Sequence, residues 1–420
     1  MKIRMWKMKI MFARMKKKLP LSICILFFLG LQSSVFGQLI PNLKAHITYL
    51  ASDSLHGRMT GSPDEKLAAD YIIKQFVGAG ITNAKGNHNA KKYLQAFHYS
   101  PKMDSTVTKV NGNNVVAFID NKAANTIILG AHYDHLGWGL PAHSTYRGEP
   151  AIHNGADDNA SGVATIIELA KLLKNSSLKN YNYVFIAFSG EELGLYGSKW
   201  FVEHPTLDLA KVDYMLNLDM VGRVDSNKLV VSGVGTSPSW NEAMKRITSS
   251  FHIKTTESGV GPSDHTSFYL KKIPVLHFFS GQHKDYHKPS DDENKINYKG
   301  MEDVVVYVAA LIGELNSKPK IPFTKTKDDN NDNAPKFTVT LGVMPDYTFE
   351  GEGMRIDAVT DGKPASKAGL QDCDIVLQLG EIKVADMMSY MKALSQFKKG
   401  DASKVKVKRG SEIVVKDIQF

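Results

Sequence analysis

Five short segments gather the side chains that bind metal ions and move protons. They are Gly130-Ala-His132-Tyr-Asp134-His135, Gly155-Ala-Asp157-Asp158-Asn159-Ala-Ser-Gly162, Ser189-Gly-Glu191-Glu192-Leu-Gly194, Asn217-Leu-Asp219-Met-Val-Gly222 and Asp285-Tyr286-His287-Lys-Pro-Ser-Asp-Asp292. Singly, each reads as an ordinary loop, and an acid pair such as Glu191-Glu192 usually faces solvent. Jointly they place histidines and several carboxylates where strand-like runs end. That donor set suits a dinuclear zinc site. Zinc takes imidazole nitrogen and carboxylate oxygen, and in catalytic sites it keeps a position open for water.

The elements that must position these residues are set by hydrophobic period. Ser62-Pro63-Asp64-Glu65 forms a capping box, and Leu67, Ala68, Tyr71, Ile72 and Phe76 follow at helical spacing until Gly78 and Gly80. Beyond it, strands are expected at Val115–Ile119, Thr126–Gly130, Tyr183–Ala187, Met215–Asp219, Leu229–Val234 and Pro274–Phe279. They alternate with helices at Ala160–Leu173, Ser239–Phe251 and Tyr298–Leu315. Such alternation predicts an α/β sandwich around a largely parallel sheet, whose ligands bind beyond the carboxyl ends of the strands. This domain is expected over 38–316. A Lys-, Asp- and Asn-rich stretch with Pro319, Pro322 and Pro335 reads as a linker over 317–336, followed by a small β-rich domain over 337–420.

The net charge of +9 suggests a polyanion binder until it is located. Residues 1–18 hold eight basic residues and no acid, so the rest of the chain has 44 basic against 43 acidic residues. A near-neutral body excludes an electrostatic footprint for nucleic acid. The basic run, the apolar Leu19–Leu31 and the small residues before Gly37 form the three-part layout of a secretory signal peptide over 1–37. No later stretch spans a bilayer, so the expectation is an exported protein, in a bacterial periplasm or secreted, with no transmembrane segment after processing. Cys24 lies in the removed segment. Cys373 then stands alone, and is read as a buried small residue.

The five segments, in this order, resemble the co-catalytic zinc exopeptidases, a family that includes bacterial leucyl aminopeptidases, glutamate carboxypeptidases and glutaminyl cyclases. The likeness rests on His132-x-Asp134, Asp157-Asp-Asn-Ala-Ser-Gly162, Ser189-Gly-Glu-Glu-x-Gly-x-x-Gly-Ser198, Asp219 and Tyr286-His287 before Pro-Ser-Asp-Asp. The opening Leu50-Ala-Ser-Asp-Ser-Leu-His-Gly-Arg-Met-Thr-Gly-Ser62 also matches. The resemblance spans about Leu43–Leu315 and implies a three-layer sandwich around a mixed, largely parallel sheet. It implies two zinc ions: His132 and Asp219 on one, Glu192 and His287 on the other, Asp158 bridging, with a cis peptide at Asp158–Asn159. It makes Asp134 the residue that orients His132, Glu191 the general base and Tyr286 the donor to the oxyanion. The implied activity is an aminopeptidase acting on peptide substrates. The alternatives are a glutaminyl cyclase, a carboxypeptidase or a catalytically silent binding protein. Asp264-His265 is expected to line the pocket, Trp138–Ala151 to form a lid or wall, and His135, His143, His153 and His283 to lie at the surface.

In the C-terminal module, Thr340-Leu341-Gly342-Val343 and Pro364-Ala-Ser-Lys-Ala-Gly369-Leu resemble a bacterial PDZ domain. Strands are expected at Phe337–Val343, Met354–Ala358, Ile375–Leu379, Lys404–Lys408 and Glu412–Ile418, with a helix at Met387–Phe397. By this resemblance, Leu341, Gly342 and Val343 form the loop that receives the C-terminus of a peptide ligand. Asp372-Cys373-Asp374 departs from the usual Gly-Asp.

Overall fold

The computed structural model describes residues 37–99, 110–140, 143–146, 148–326, 339–345, 349, 351–359, 362–385 and 387–420. The expected signal peptide, apart from Gly37, lies outside them. No helix among the described residues is long and apolar enough to cross a membrane.

The first domain is built on strands β1 (Thr82–Asn83), β2 (Leu94–Tyr99), β3 (Val110–Ile119), β4 (Asn125–His132), β5 (Tyr181–Phe188), β6 (Val212–Leu218), β7 (Lys228–Ser232), β8 (His252–Thr256) and β9 (Val275–Phe279). They form one sheet in the order β1-β3-β5-β4-β6-β9-β7-β8, with β2 also pairing β3. The central run β5-β4-β6-β9 is parallel throughout, so four adjacent strands end on the same edge. β3 and β7 flank it antiparallel. Runs such as Ile127–Leu129 and Tyr183–Phe188 are buried on both faces, as a parallel strand between helical layers requires.

After a helical stretch over 37–50, the helices are α1 (Pro63–Gly78), α2 (Gly162–Asn175), α3 (Tyr196–Glu203), α4 (Ser239–Met244), α5 (His265–Tyr269) and α6 (Tyr298–Leu315). Phe201 of α3 and Phe268 and Tyr269 of α5 pack with Ile128, Val184, Ile186 and Met215 on one face of the sheet. α2 packs against β4, α1 and α6. The expected helix Ser239–Phe251 ends at Met244, because the polar 245–250 has no apolar stripe and the β-branched Ile253-Lys-Thr-Thr256 joins the sheet as β8.

At the start of α1, the Ser62 side chain accepts from the Glu65 N–H at 3.0 Å, as a capping residue should. Glu65 reaches back one residue further than the standard box, to the Gly61 N–H at 2.6 Å, and its other oxygen accepts from Ser189 Oγ. Burial, with Asp134 close by, pushes the Glu65 carboxyl up to about 8. The folded protein therefore keeps a proton that the unfolded chain releases near 4.5. In that window the native state binds more protons, so stability falls as pH rises from about 5 to about 8, by roughly 1.4 kcal/mol per unit of pH. Glu65→Gln mimics the protonated form and is expected to flatten this slope in thermal unfolding between about pH 5 and about pH 8.5. An unchanged slope would remove Glu65 as its cause.

The second domain is a separate antiparallel sheet of β10 (Val343–Pro345), β11 (Met354–Val359), β12 (Ile375–Leu379), β13 (Ile382–Lys383), β14 (Ala402–Arg409) and β15 (Glu412–Gln419), in the order β10-β11-β12-β14-β15 with β13 on β12. Helices α7 (Pro364–Lys367) and α8 (Met387–Leu394) accompany it. Leu341, Ile356, Val376, Val405 and Leu394 fill its core. Of the expected strand Phe337–Val343, residues 337–338 lie outside the described residues, and pairing begins at Val343. Cys373 is exposed, not buried as expected. It holds φ +68°, the left-handed position that glycine would fill in the motif. Its neighbour Asp374 is buried and accepts two bonds from Arg409, at 2.8 and 2.7 Å.

Of the expected linker 317–336, Ile321, Thr324 and Thr326 pack on the first domain. The Ile321 N–H donates to Asp213 and the Thr324 N–H to the Thr236 carbonyl. The Thr326 N–H donates to the Tyr269 hydroxyl at 2.9 Å, and Ile321 and Thr326 are buried. Residues 327–338 lie outside the described residues.

Candidate metal centre

His132 is the last residue of β4, and Asp219 directly succeeds β6. Glu191 and Glu192 come after β5, across the turn Ser189-Gly190, and His287 lies in the loop after β9. Parallel pairing sets these four strand ends side by side. Asp158 comes from the turn entering α2. There Gly155 takes φ +57°, and a Cβ would meet the Asp158 carbonyl at 2.2 Å. The Asp158–Asn159 peptide is cis.

The five expected ligands converge. His132 Nε2 lies 3.2 Å from Asp158 Oδ1 and 3.2 Å from Asp219 Oδ1. On the other side, His287 Nε2 lies 3.2 Å from Asp158 Oδ2 and 3.1 Å from Glu192 Oε2. The two oxygens of one carboxylate thus face two separate donor sets. Ligands about 2.0–2.1 Å from a tetrahedral zinc lie roughly 3.3 Å from one another, so the spacing fits the ion.

Ring orientation fits as well. His132 Nδ1 donates to the Asp134 carbonyl at 3.2 Å, and His287 Nδ1 to the His143 carbonyl at 2.8 Å. Both Nε2 atoms are left to face carboxylates, as in metal-ligating histidines. Although burial disfavours a charged ring, Asp219 and Glu191 hold the His132 proton well above the ordinary range. Glu192 does the same for His287. The same carboxylates that favour a proton on these rings would favour a cation beside them. Glu192 itself is held low, against its burial, chiefly by His287.

Asp134 departs from its expected job. Its carboxylate is 3.7 Å from His132 Nδ1, and the main-chain carbonyl serves the ring instead. The carboxylate accepts from Thr60 Oγ1 at 2.7 Å and from the Glu191 N–H at 3.2 Å, so it anchors the backbone of the expected base. Burial, reinforced by Asp219, Glu192 and Asp264, raises the Glu191 carboxyl well above its usual range despite nearby His132. Tyr286 is half-buried, with its ring stacked on His287 at a centroid distance of 3.8 Å.

The residues beside Asp158 are structural. Asp157 accepts from the Gly222 N–H at 2.6 Å and pairs with His283 at 3.1 Å. Asn159 donates to the Leu218 carbonyl and accepts from the Gly162 N–H. Buried Asp291 accepts the N–H groups of both Asp157 and Asp158 at 3.0 Å, tying the His287 loop to this turn. Arg58 is buried and donates to the carbonyls of Tyr133, Leu50, Asn154 and Gly155. Its burial lowers the guanidinium to about 10.

Two histidines expected at the surface are not there. His135 is 1% exposed, with Nδ1 at 2.6 Å from Glu192 Oε1, and His153 is buried and bonded to Ser144. The signal for His135 is its place in the same segment as His132. His143 and His283 are half-buried. Asp264 and His265 are buried, with His265 stacked on His277 at 4.5 Å. Within 138–151, Thr145 supports the His287 loop through the Tyr286 and His287 carbonyls, while Trp138 is exposed against His56.

A mixed sheet between helical layers, with a carboxylate-bridged pair of imidazole sites on its carboxyl edge, defines the class of zinc exopeptidase folds. Solved structures of that class superpose on this chain. They include the LapA aminopeptidase of Legionella pneumophila (TM-score 0.51, 22% identity, 68% of this chain and 74% of that chain). A zinc aminopeptidase from Bacillus subtilis (TM-score 0.50, 17%, 68% and 98%) and glutaminyl cyclase of Porphyromonas gingivalis (TM-score 0.53, 16%, 66% and 98%) share the fold. Residues 114–312 match Peptidase family M28, and residues 323–419 match the PDZ domain. The chain thus carries an M28 peptidase domain followed by a PDZ domain. It is 31% identical over 231 residues to the alkaline phosphatase isozyme conversion protein of Escherichia coli K12, covering 55% of this chain and 63% of that protein. It is 31% identical over 300 residues to aminopeptidase YwaD of Bacillus subtilis, covering 68% and 60%. The chain therefore spans about three-fifths of the length of these two curated relatives.

Proposed function

We propose that this protein is an exported, zinc-dependent aminopeptidase with two zinc ions per chain. The observation that carries this reading is Asp158, whose two oxygens face two complete donor sets. A glutaminyl cyclase of this fold needs one zinc, so two sets favour the peptidase. Bound there, zinc supplies Lewis acidity, which acidifies water and polarises a carbonyl. The chain's own groups do the rest. Glu191 takes the proton from the attacking water as it adds to the scissile carbonyl carbon, and passes it to the leaving amine when the C–N bond breaks. Asp134 fixes Glu191 through its main-chain N–H. Tyr286 donates to the developing oxyanion. The free α-ammonium of the substrate is held by the carboxylates of the cluster, which confines cleavage to chain ends. The loop Leu341-Gly342-Val343 receives a peptide C-terminus. Gly342 holds φ +75° there, and a Cβ would meet Lys363 at 2.1 Å.

The test is a panel of free and N-acetylated aminoacyl-arylamides, with metal assayed in the same sample. Turnover of free-amine substrates only is expected, lost on chelation and restored by zinc, with about two zincs per chain. Turnover of acetylated substrates, or one zinc per chain with cyclisation of N-terminal Gln, would overturn the reading.

A further inference from the structure

We propose that His135 is a positioning residue for Glu192, holding that carboxylate so that one oxygen alone is offered to a cation; this rests on the two-zinc reading above. His135, Asp158 and Glu192 also bring donor atoms within 4.8 Å of one another, but the three rings differ in how many carboxylates they reach: His132 and His287 each face two, whereas His135 is within hydrogen-bond reach of one. Groups that share a cation are spaced near a tetrahedral edge, and the four pairs involving His132 and His287 lie at 3.1–3.2 Å. His135 Nδ1 lies at 2.6 Å from Glu192 Oε1, the distance of a charge-assisted hydrogen bond, and at 4.0 Å from Asp158 Oδ2. It touches Oε1, whereas His287 faces Oε2. His135 therefore donates to the oxygen that His287 does not face, and Glu192 is left with Oε2 as its single metal-facing atom.

His135 has little freedom to do otherwise. Its N–H donates to the Arg58 carbonyl at 3.2 Å, and residue 135 forms an isolated parallel bridge with Met59. A Cβ on Gly155 would meet the ring at 2.6 Å, so the ring is wedged against the turn that carries Asp158. Its Nε2 is buried and has no hydrogen-bond partner among the described residues. The interaction with Glu192 is the polar contact that places this ring. Outer partners of this kind change metal affinity by about 10- to 100-fold when removed.

Two substitutions in the full-length protein separate a hydrogen-bonding role from a packing role. His135→Asn keeps a donor close to the Nδ1 position but loses volume. His135→Leu keeps volume but has no donor. Zinc affinity is read by competition with a chromophoric chelator, together with the zinc count and kcat/KM. The expected result is that Asn retains both zincs within a few-fold of wild-type affinity, while Leu loses about 10- to 100-fold for one ion and leaves the other in place. If Leu preserves affinity and Asn loses it, His135 is packing and the proposal falls. If both lose the second ion entirely, His135 is a direct ligand and the proposal also falls. A wild-type protein that holds fewer than two zincs instead refutes the two-zinc reading, before either variant is compared.

Discussion

Glu191→Gln is expected to leave the protein folded and loaded with its full complement of zinc, while kcat falls by roughly 10²–10⁴-fold. The substitution is isosteric, and the main-chain N–H that Asp134 accepts is untouched. The close pairs that make up the two donor sets do not involve the Glu191 side chain. What is removed is the capacity to accept a proton from water and return it to the amine. Parallel measurement of kcat on an aminoacyl-arylamide and of zinc per chain checks this. Retained turnover would exclude Glu191 as the base. Loss of zinc along with turnover would make it a ligand.

Asp158→Asn is expected to have the opposite signature, with zinc content falling below one per chain and activity falling with it. Asn presents one oxygen and one N–H₂ group and carries no charge, so it cannot offer an anionic oxygen to both the His132 and the His287 donor sets. Each cation site loses affinity, by more than the ~10- to 100-fold typical of an outer partner. Asp157→Asn is the matched comparison. It is expected to lower thermal stability through its bonds to Gly222 and His283 while retaining both zincs. Equal zinc loss from the two variants would mean that the turn as a whole, rather than the Asp158 carboxylate, decides metal binding.

The strands that deliver His132, Asp219 and Glu192 to one edge are long apolar runs, legible in the sequence. The sheet is therefore readable at its centre and less so at its edges. Ser239–Met244 begins with a helical pattern that hides β8, and pairing with β7 draws His252–Thr256 into the sheet. His135 has the residue context of a loop, because its burial comes from Arg58 and Gly155, which are remote or at a turn. Glu65 has the context of a simple cap, because Ser189, 124 residues away, closes over it. These features depend on contacts between distant segments, which no local pattern of residue types reports.

The pinning of Ile321, Thr324 and Thr326 onto the first domain has a consequence for how the two domains can cooperate. It moves the effective end of the peptidase domain to residue 326, so that the twelve residues 327–338 are all the chain left to reach the second sheet. At about 3.3–3.6 Å per residue, that contour cannot exceed roughly 47 Å. The peptide capture proposed for the second domain would act within that reach of the first, where Lys254 Nζ already donates to the Phe349 carbonyl at 2.8 Å.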